Sequence, residues 1–197
     1  MRNITITEIS ETHLGDVAQM HADLLWYSFN SKLGINHLKK LYKILALDTK
    51  SIVLVALDED SQPIGFISGM SDLRKLKRLL IFKLGFVGWM NILYRCLIKP
   101  PILWNFFQHL KLFGTVESDG KEVIAGLLSF GVLRDKATPI TGLLLMKNII
   151  QNFSDEKITR LCSHTKSDNI VSLVIHKRCG FKISKQYKDN TVLINEI

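Results

Sequence analysis

The stretch from residue 122 to about 165 constrains the fold more than any other. EVIAGLLSFGVL (122–133) is apolar on both faces, as a strand covered on two sides must be. After a short polar loop, ITGLLLMKNIIQNF (140–153) carries its apolar residues at helical spacing, and KITRLCSH then returns to strand character. Strand, helix and strand in that order read as a βαβ crossover, which forces a parallel pairing into the sheet.

The remaining segments read as an antiparallel frame around this unit. ITITEI (4–9) alternates like a half-buried strand, and two helices follow to about residue 47. The second has Asn36 as its cap and a buried stripe of Leu38, Leu41, Tyr42 and Leu45. SIVLVAL (51–57) and PIGFISGM (63–70) flank the turn-like DEDSQ as a hairpin. Beyond the crossover, NIVSLVIHKR reads as a helix stopped by Gly180, and FKISKQY and TVLINEI as two last strands. The expected fold is α/β (α+β): one domain over 1–197, with a central mixed, mostly antiparallel sheet and flanking helices.

Composition narrows the function. A chain of 197 residues that is 47% hydrophobic can bury a core, which excludes disorder. Cys96, Cys162 and Cys179 are odd in number and have no CxxC spacing, so neither a disulfide framework nor a metal site is expected, and a reducing, cytoplasmic location is. The opening MRNITITEIS lacks the apolar core of a signal peptide.

The net charge of +8 is concentrated in one place. Between residues 71 and 113 stand eight Lys and Arg against Asp72 alone, leaving 18 basic and 17 acidic residues elsewhere. Eight of the seventeen aromatic residues lie there too. Lys83, Asn91 and Arg95 interrupt the most apolar run, which argues against a membrane span, and so apolar a stretch is a poor nucleic-acid surface. We expect a helical insertion at about 71–113, broken at Pro100-Pro101, that covers a binding groove and favours an anionic or lipid-proximal ligand. A membrane-surface contact or a homodimer contact would use the same residues.

Two segments carry chemistry. In VLRDKATPITGLLL (132–145), Thr138 and Pro139 have the pattern of an N-cap and first helical residue, so the amides of Ile140 and Thr141 would face an anion at the positive end of the helix dipole. In NIVSLVIHKRCGFK (169–182), His176 falls near the end of a helix that returns at once into a strand.

Together these segments resemble the GCN5-related N-acetyltransferases, the GNAT superfamily. The second is similar to that family's N-x-x-A-x-x-x-Y-x-K-x-G-F, with Asn169, Gly180 and Phe181 matching, Ser172 at the Ala place, His176 at the Tyr place and Arg178 at the Lys place. The first resembles its R-x-x-G-x-G/A pyrophosphate loop with Lys136, Pro139 and Thr141 at the marked places, or with Gly142 marking a register one residue later. The element order agrees from end to end, with the basic segment as an insertion between the family's third and fourth strands.

The resemblance implies transfer of an acetyl group from acetyl-CoA, or another acyl-CoA, directly to an amine of a small-molecule or sugar acceptor, with no metal. It implies contacts to the acyl donor from Phe130, Val132, Lys136, Ala137, Thr138, Ile140, Thr141, Gly142, Asn169 and Ser172. The Val132 amide would polarise the thioester carbonyl, and His176 would protonate the leaving thiolate. Glu117, Glu122, His164, His21 and Asp23 are all candidates for the general base. The loss of the loop glycines and of the Tyr leaves a second expectation, a catalytically impaired CoA-binding or scaffolding protein.

Overall fold

The structure, a computed structural model, describes residues 3–76, 79, 90, 116–118, 121–123 and 125–197. Most of the basic, aromatic-rich segment, and with it the expected helical insertion, lies outside the described residues.

The first strand, β1 (Thr5–Glu8), leads into helices α1 (Leu14–Leu24), α2 (Phe29–Lys32) and α3 (Ile35–Ala46). The hairpin β2 (Ser51–Leu57) and β3 (Pro63–Met70) follows, with β4 (Val116–Ser118) and β5 (Lys121–Val123) beyond it. Next come β6 (Ala125–Val132), α4 (Pro139–Asp155), β7 (Arg160–Lys166), α5 (Ile170–Arg178), β8 (Lys182–Gln186) and β9 (Asn190–Glu196). Seven strands form one sheet in the order β1-β2-β3-β6-β7-β9-β8, antiparallel except between β6 and β7. The crossover through α4 supplies that parallel pair.

Two expectations need correcting. Residues 122–133 are not one strand: β5 pairs with β4 in a separate two-stranded sheet, and the main sheet begins at Ala125. The reason is the partner's length, because β3 ends at Met70, opposite Gly126, and offers no ladder to earlier residues. The third helix starts at Ile35, with Gly34 as its N-cap at φ 90°, so Asn36 lies inside the helix. Only a residue tolerant of positive φ makes that turn out of α2 without strain.

The sheet is packed on both faces. On one, α1 and α3 bury Val17, Ala18, Leu38, Leu41, Tyr42 and Leu45 against Val53, Val55 and Phe66. On the other, α4 buries Leu145, Met146, Ile149 and Phe153 against Leu54, Ile67 and Leu161. Each side chain of this size contributes about 1.5–3 kcal/mol when fully removed from water, so α4 is firmly seated at its middle and C-terminal turns.

Candidate functional site

The parallel pairing of β6 and β7 lasts two residues, Ala125 with Leu161 and Gly126 with Cys162. From there β7 continues against β9 to the pair Lys166 and Asn190, while β6 stays with β3 as far as Val132. A bulge drives the strands apart: Ser68 faces Ser129 and Gly69 faces Leu127, so Leu128 is an extra residue that bends β6. The outcome is a V-shaped opening along the β6 edge. The amide of Leu133 is bonded to the Ile64 carbonyl at 2.9 Å, on the β3 side. Strand amides alternate, so those of Phe130 and Val132 point into the opening.

The loop after β6 leads to the N-terminus of α4. Pro139 is the first helical residue and Thr138 the N-cap, but the Thr138 side chain makes no capping hydrogen bond. Pro139 has no N–H, and the Thr141 amide is bonded to the Thr138 carbonyl at 3.0 Å. Ile140 is 52% exposed, and as the second helical residue it has no intrahelical acceptor for its amide. The expected pair of free amides is therefore reduced to one: Thr141 is 0% exposed, its side chain in the core with Oγ1 3.4 Å from that of Thr138. Gly142 is buried where a Cβ would lie 2.8 Å from Ile175 Cδ1 and 3.2 Å from Phe130 Cζ, so the helix meets α5 and β6 there only because no side chain intervenes. Lys136 is exposed and Ala137 half-buried on the loop, with the Ala137 amide bonded to the Leu133 carbonyl at 2.9 Å.

His176 reaches across the opening on this α4/α5 face. Its ring stands edge-on to Phe130 of β6, with centroids 6.2 Å apart, and to Phe181, at 5.0 Å. Nδ1 lies 2.7 Å from the Ser172 carbonyl and Nε2 2.8 Å from Ser163 Oγ on β7. A carbonyl only accepts, so Nδ1 carries the proton and Nε2 accepts from the Ser163 hydroxyl. The ring is 1% exposed, and burial holds its pKa below the ordinary histidine value. In the neutral imidazole the single N–H is bound to the Ser172 carbonyl rather than directed into the opening. Asn169 and Ser172 are likewise used within the chain. Asn169 Oδ1 accepts from the Ser172 amide at 3.1 Å, capping α5, and the Ser172 hydroxyl accepts from Thr165 Oγ1 at 3.0 Å.

The opposite face holds the candidates for a base. Ser163 and Thr165 bond to α5, so His164 and Lys166 of β7 face α1 and α3. Both ring nitrogens of His164 are buried and have no hydrogen-bond partner among the described residues, and burial lowers its pKa. His21 of α1 is the contrasting case. Its Nδ1 lies 2.6 Å from Tyr42 Oη and its Nε2 3.1 Å from Ser28 Oγ, and burial, with His37 nearby, lowers its pKa to about 4. Tyr42 Oη continues to Ser129 Oγ at 2.9 Å and Ser129 Oγ to Ser68 Oγ at 2.6 Å, so His21 sits in a closed internal network that pins the bulged strand to α3. Asp23 is exposed and bonded by Gln19. Glu117 of β4 and Glu122 of β5 are register partners in the two-stranded sheet.

Two features of this face escaped the sequence reading. Lys166 Nζ stands 4.0 Å above the ring of Tyr27 in the α1–α2 connection, and no local spacing links positions so far apart. Ser129, a lone polar residue in LLSFGVL, was a readable sign of an interruption in the strand.

No family profile matches the sequence, and no curated protein matches it either. Solved structures do. The PaiA N-acetyltransferase of Thermoplasma acidophilum, in complex with coenzyme A, superposes with a TM-score of 0.62 at 12% identity, covering 99% of each chain. NAA60 of Arabidopsis thaliana, in complex with a bisubstrate analogue, gives 0.62 at 13% identity over 99% of this chain and 98% of that one. YncA of Salmonella typhimurium, described as a putative acetyltransferase with its cofactor acetyl-CoA, gives 0.63 at 13% identity over 98% and 93%. The chain has the GNAT fold.

Within the GNAT fold the α4 N-terminus follows the loop after β6 on one side of the sheet, and the His164 side chain lies on the opposite face of β7 from Ser163 and Thr165. Among the described residues no group of three or more His, Cys, Asp or Glu could hold a metal ion, and no helix is long and apolar enough to cross a membrane.

Proposed function

We propose that this protein is an acyl-CoA-dependent N-acyltransferase that moves an acetyl group from acetyl-CoA directly to a primary amine. The observation that carries the reading is the two-residue limit on β6–β7 pairing, which leaves the amides of Phe130 and Val132 aimed into a gap between strands. An extended pantetheine supplies the acceptors those amides lack, and the Val132 amide supports the thioester oxygen as charge develops on it. The pyrophosphate lies at the α4 N-terminus, held by the Ile140 amide and the helix dipole. The later register fits this best: Gly142 takes the second glycine place of the loop pattern, which puts Ile140 at the first and Ala137 at the basic place. Pro139 then removes no phosphate donor.

On the other face, His164 takes the proton of the amine. Its depressed pKa keeps it neutral at pH 7, and its nitrogens have no competing partner among the described residues. The amine nitrogen forms its bond to the acyl carbon, the carbon–sulfur bond breaks, and the amine proton passes to His164 while the thiolate departs. His176 and Ser163 hold the wall of the slot between Phe130 and β7. The test is a calorimetric titration with acetyl-CoA followed by a free-thiol assay on a panel of amines. Binding with amine-dependent thiol release is expected; binding with no release from any amine would leave a CoA-binding protein without this activity.

A further inference from the structure

The acyltransferase reading leaves the acceptor open, and the acceptor face carries a feature that restricts it. Lys166 is two residues beyond His164 on the same face of β7, a rise of roughly 6.8 Å along the strand. Its ammonium lies 4.0 Å from the centroid of the Tyr27 ring, so the contact ties the α1–α2 connection to the end of β7. Beside it Trp26 stands edge-on to Tyr27, with centroids 5.9 Å apart, and is 69% exposed. The nearby carboxylate of Asp168 is close enough to Tyr27 to help raise its pKa, but no ion pair between it and Lys166 is present among the described residues. A fixed cation within about one Debye length of His164, whose ring nitrogens have no partner among the described residues, thus stands at the rim of the acceptor side.

We infer that Lys166 selects the acceptor: the substrate is a primary amine carrying a carboxylate or phosphate a few atoms from its nitrogen, and not a polyamine. This rests on the acyltransferase reading above. A polyamine would bring a second ammonium toward Lys166, whereas an anionic substituent would pair with it while the amine reaches His164. Lys166 is a specificity residue here, and Tyr27 holds its ammonium in place by attraction to the ring face.

The experiment measures kcat/KM by thiol release at saturating acetyl-CoA with three probes. These are spermidine, a tripeptide amide with two aspartates after an N-terminal alanine, and its counterpart with two lysines. The wild-type chain should prefer the acidic tripeptide by about tenfold or more over both others. Lys166→Glu should invert that order, and Lys166→Met, which removes the charge but keeps an unbranched apolar side chain, should flatten it; the KM for acetyl-CoA should stay unchanged in both. A role in folding alone would lower all three rates together and would overturn the inference. So would a wild-type preference for spermidine or the lysine tripeptide, which would leave the acyltransferase itself standing. Thiol release from none of the three, in a protein that releases thiol with another amine of the panel, would overturn this inference alone; release with none of the amines tested would overturn the acyltransferase reading and this inference with it.

Discussion

Replacing Ile140 by Asp separates phosphate binding from helix stability, because the two respond with opposite sign. Ile140 is the exposed second residue of α4 and its side chain is not part of the core, so its removal costs little packing. A carboxylate at that place meets the positive end of the helix dipole and stabilises the unliganded protein by about 0.3–1 kcal/mol, or roughly 1–4 °C in Tm for a domain of this size. The same carboxylate faces the pyrophosphate. At about 4 Å in a water-like dielectric each pair of unit charges costs ~1 kcal/mol, so two phosphoryl charges raise the Kd for acetyl-CoA about thirtyfold. Isothermal titration at low and at physiological salt should show the loss, larger at low salt, beside a melting temperature that rises or holds. A Kd within twofold of wild type would refute the placement of the phosphates at this helix end.

The neighbouring position behaves differently, since Thr141 is wholly buried with only a hydroxyl nearby: Thr141→Asp should destabilise the fold by about 3–5 kcal/mol, read as a large drop in melting temperature without ligand. Tyr42→Phe leaves His21 and Ser129 short of a partner and should cost about 1–3 kcal/mol in a urea titration with an unchanged m-value. His21 titrates near 4 folded and near 6.5 unfolded, so its contribution is complete above pH 6.5 and is lost as pH falls toward 4, up to about 3 kcal/mol. Desolvation shifts His164 and His176 the same way, and a stability profile flat from pH 7 down to 4 would contradict all three assignments. His164→Ala should lower kcat by about a hundredfold or more while leaving the Kd for acetyl-CoA within twofold.

What could be read in the sequence was what local periodicity carries. The stripe of Leu38, Leu41, Tyr42 and Leu45, the hairpin of β2 and β3, and the Thr138-Pro139 helix start all depend on residues a few positions apart, and all appear as expected. The separation of β5 from β6 into two sheets and the bulge at Leu128 depend on where β3 ends and how β6 lies against it, which no window along β6 contains. The surroundings of His176 are hidden from the sequence for the same reason. Its position in the motif shows where the ring is, but its proton is decided by the Ser172 carbonyl and its burial by Phe130 and Phe181. His164 could be named only as one candidate among five; what distinguishes it is the absence of any partner for its buried nitrogens among the described residues, a property of the folded chain.

The central claim is that acetyl-CoA lies between β6 and β7 with its extended arm bonded to the β6 edge. Residue-resolved amide hydrogen exchange by NMR, with and without saturating acetyl-CoA, tests it directly. The account predicts strong slowing at Phe130 and Val132, with Gly131 and Leu133, which face β3, changing little. Unchanged exchange at Phe130 and Val132 in a protein shown to be saturated with acetyl-CoA would contradict it.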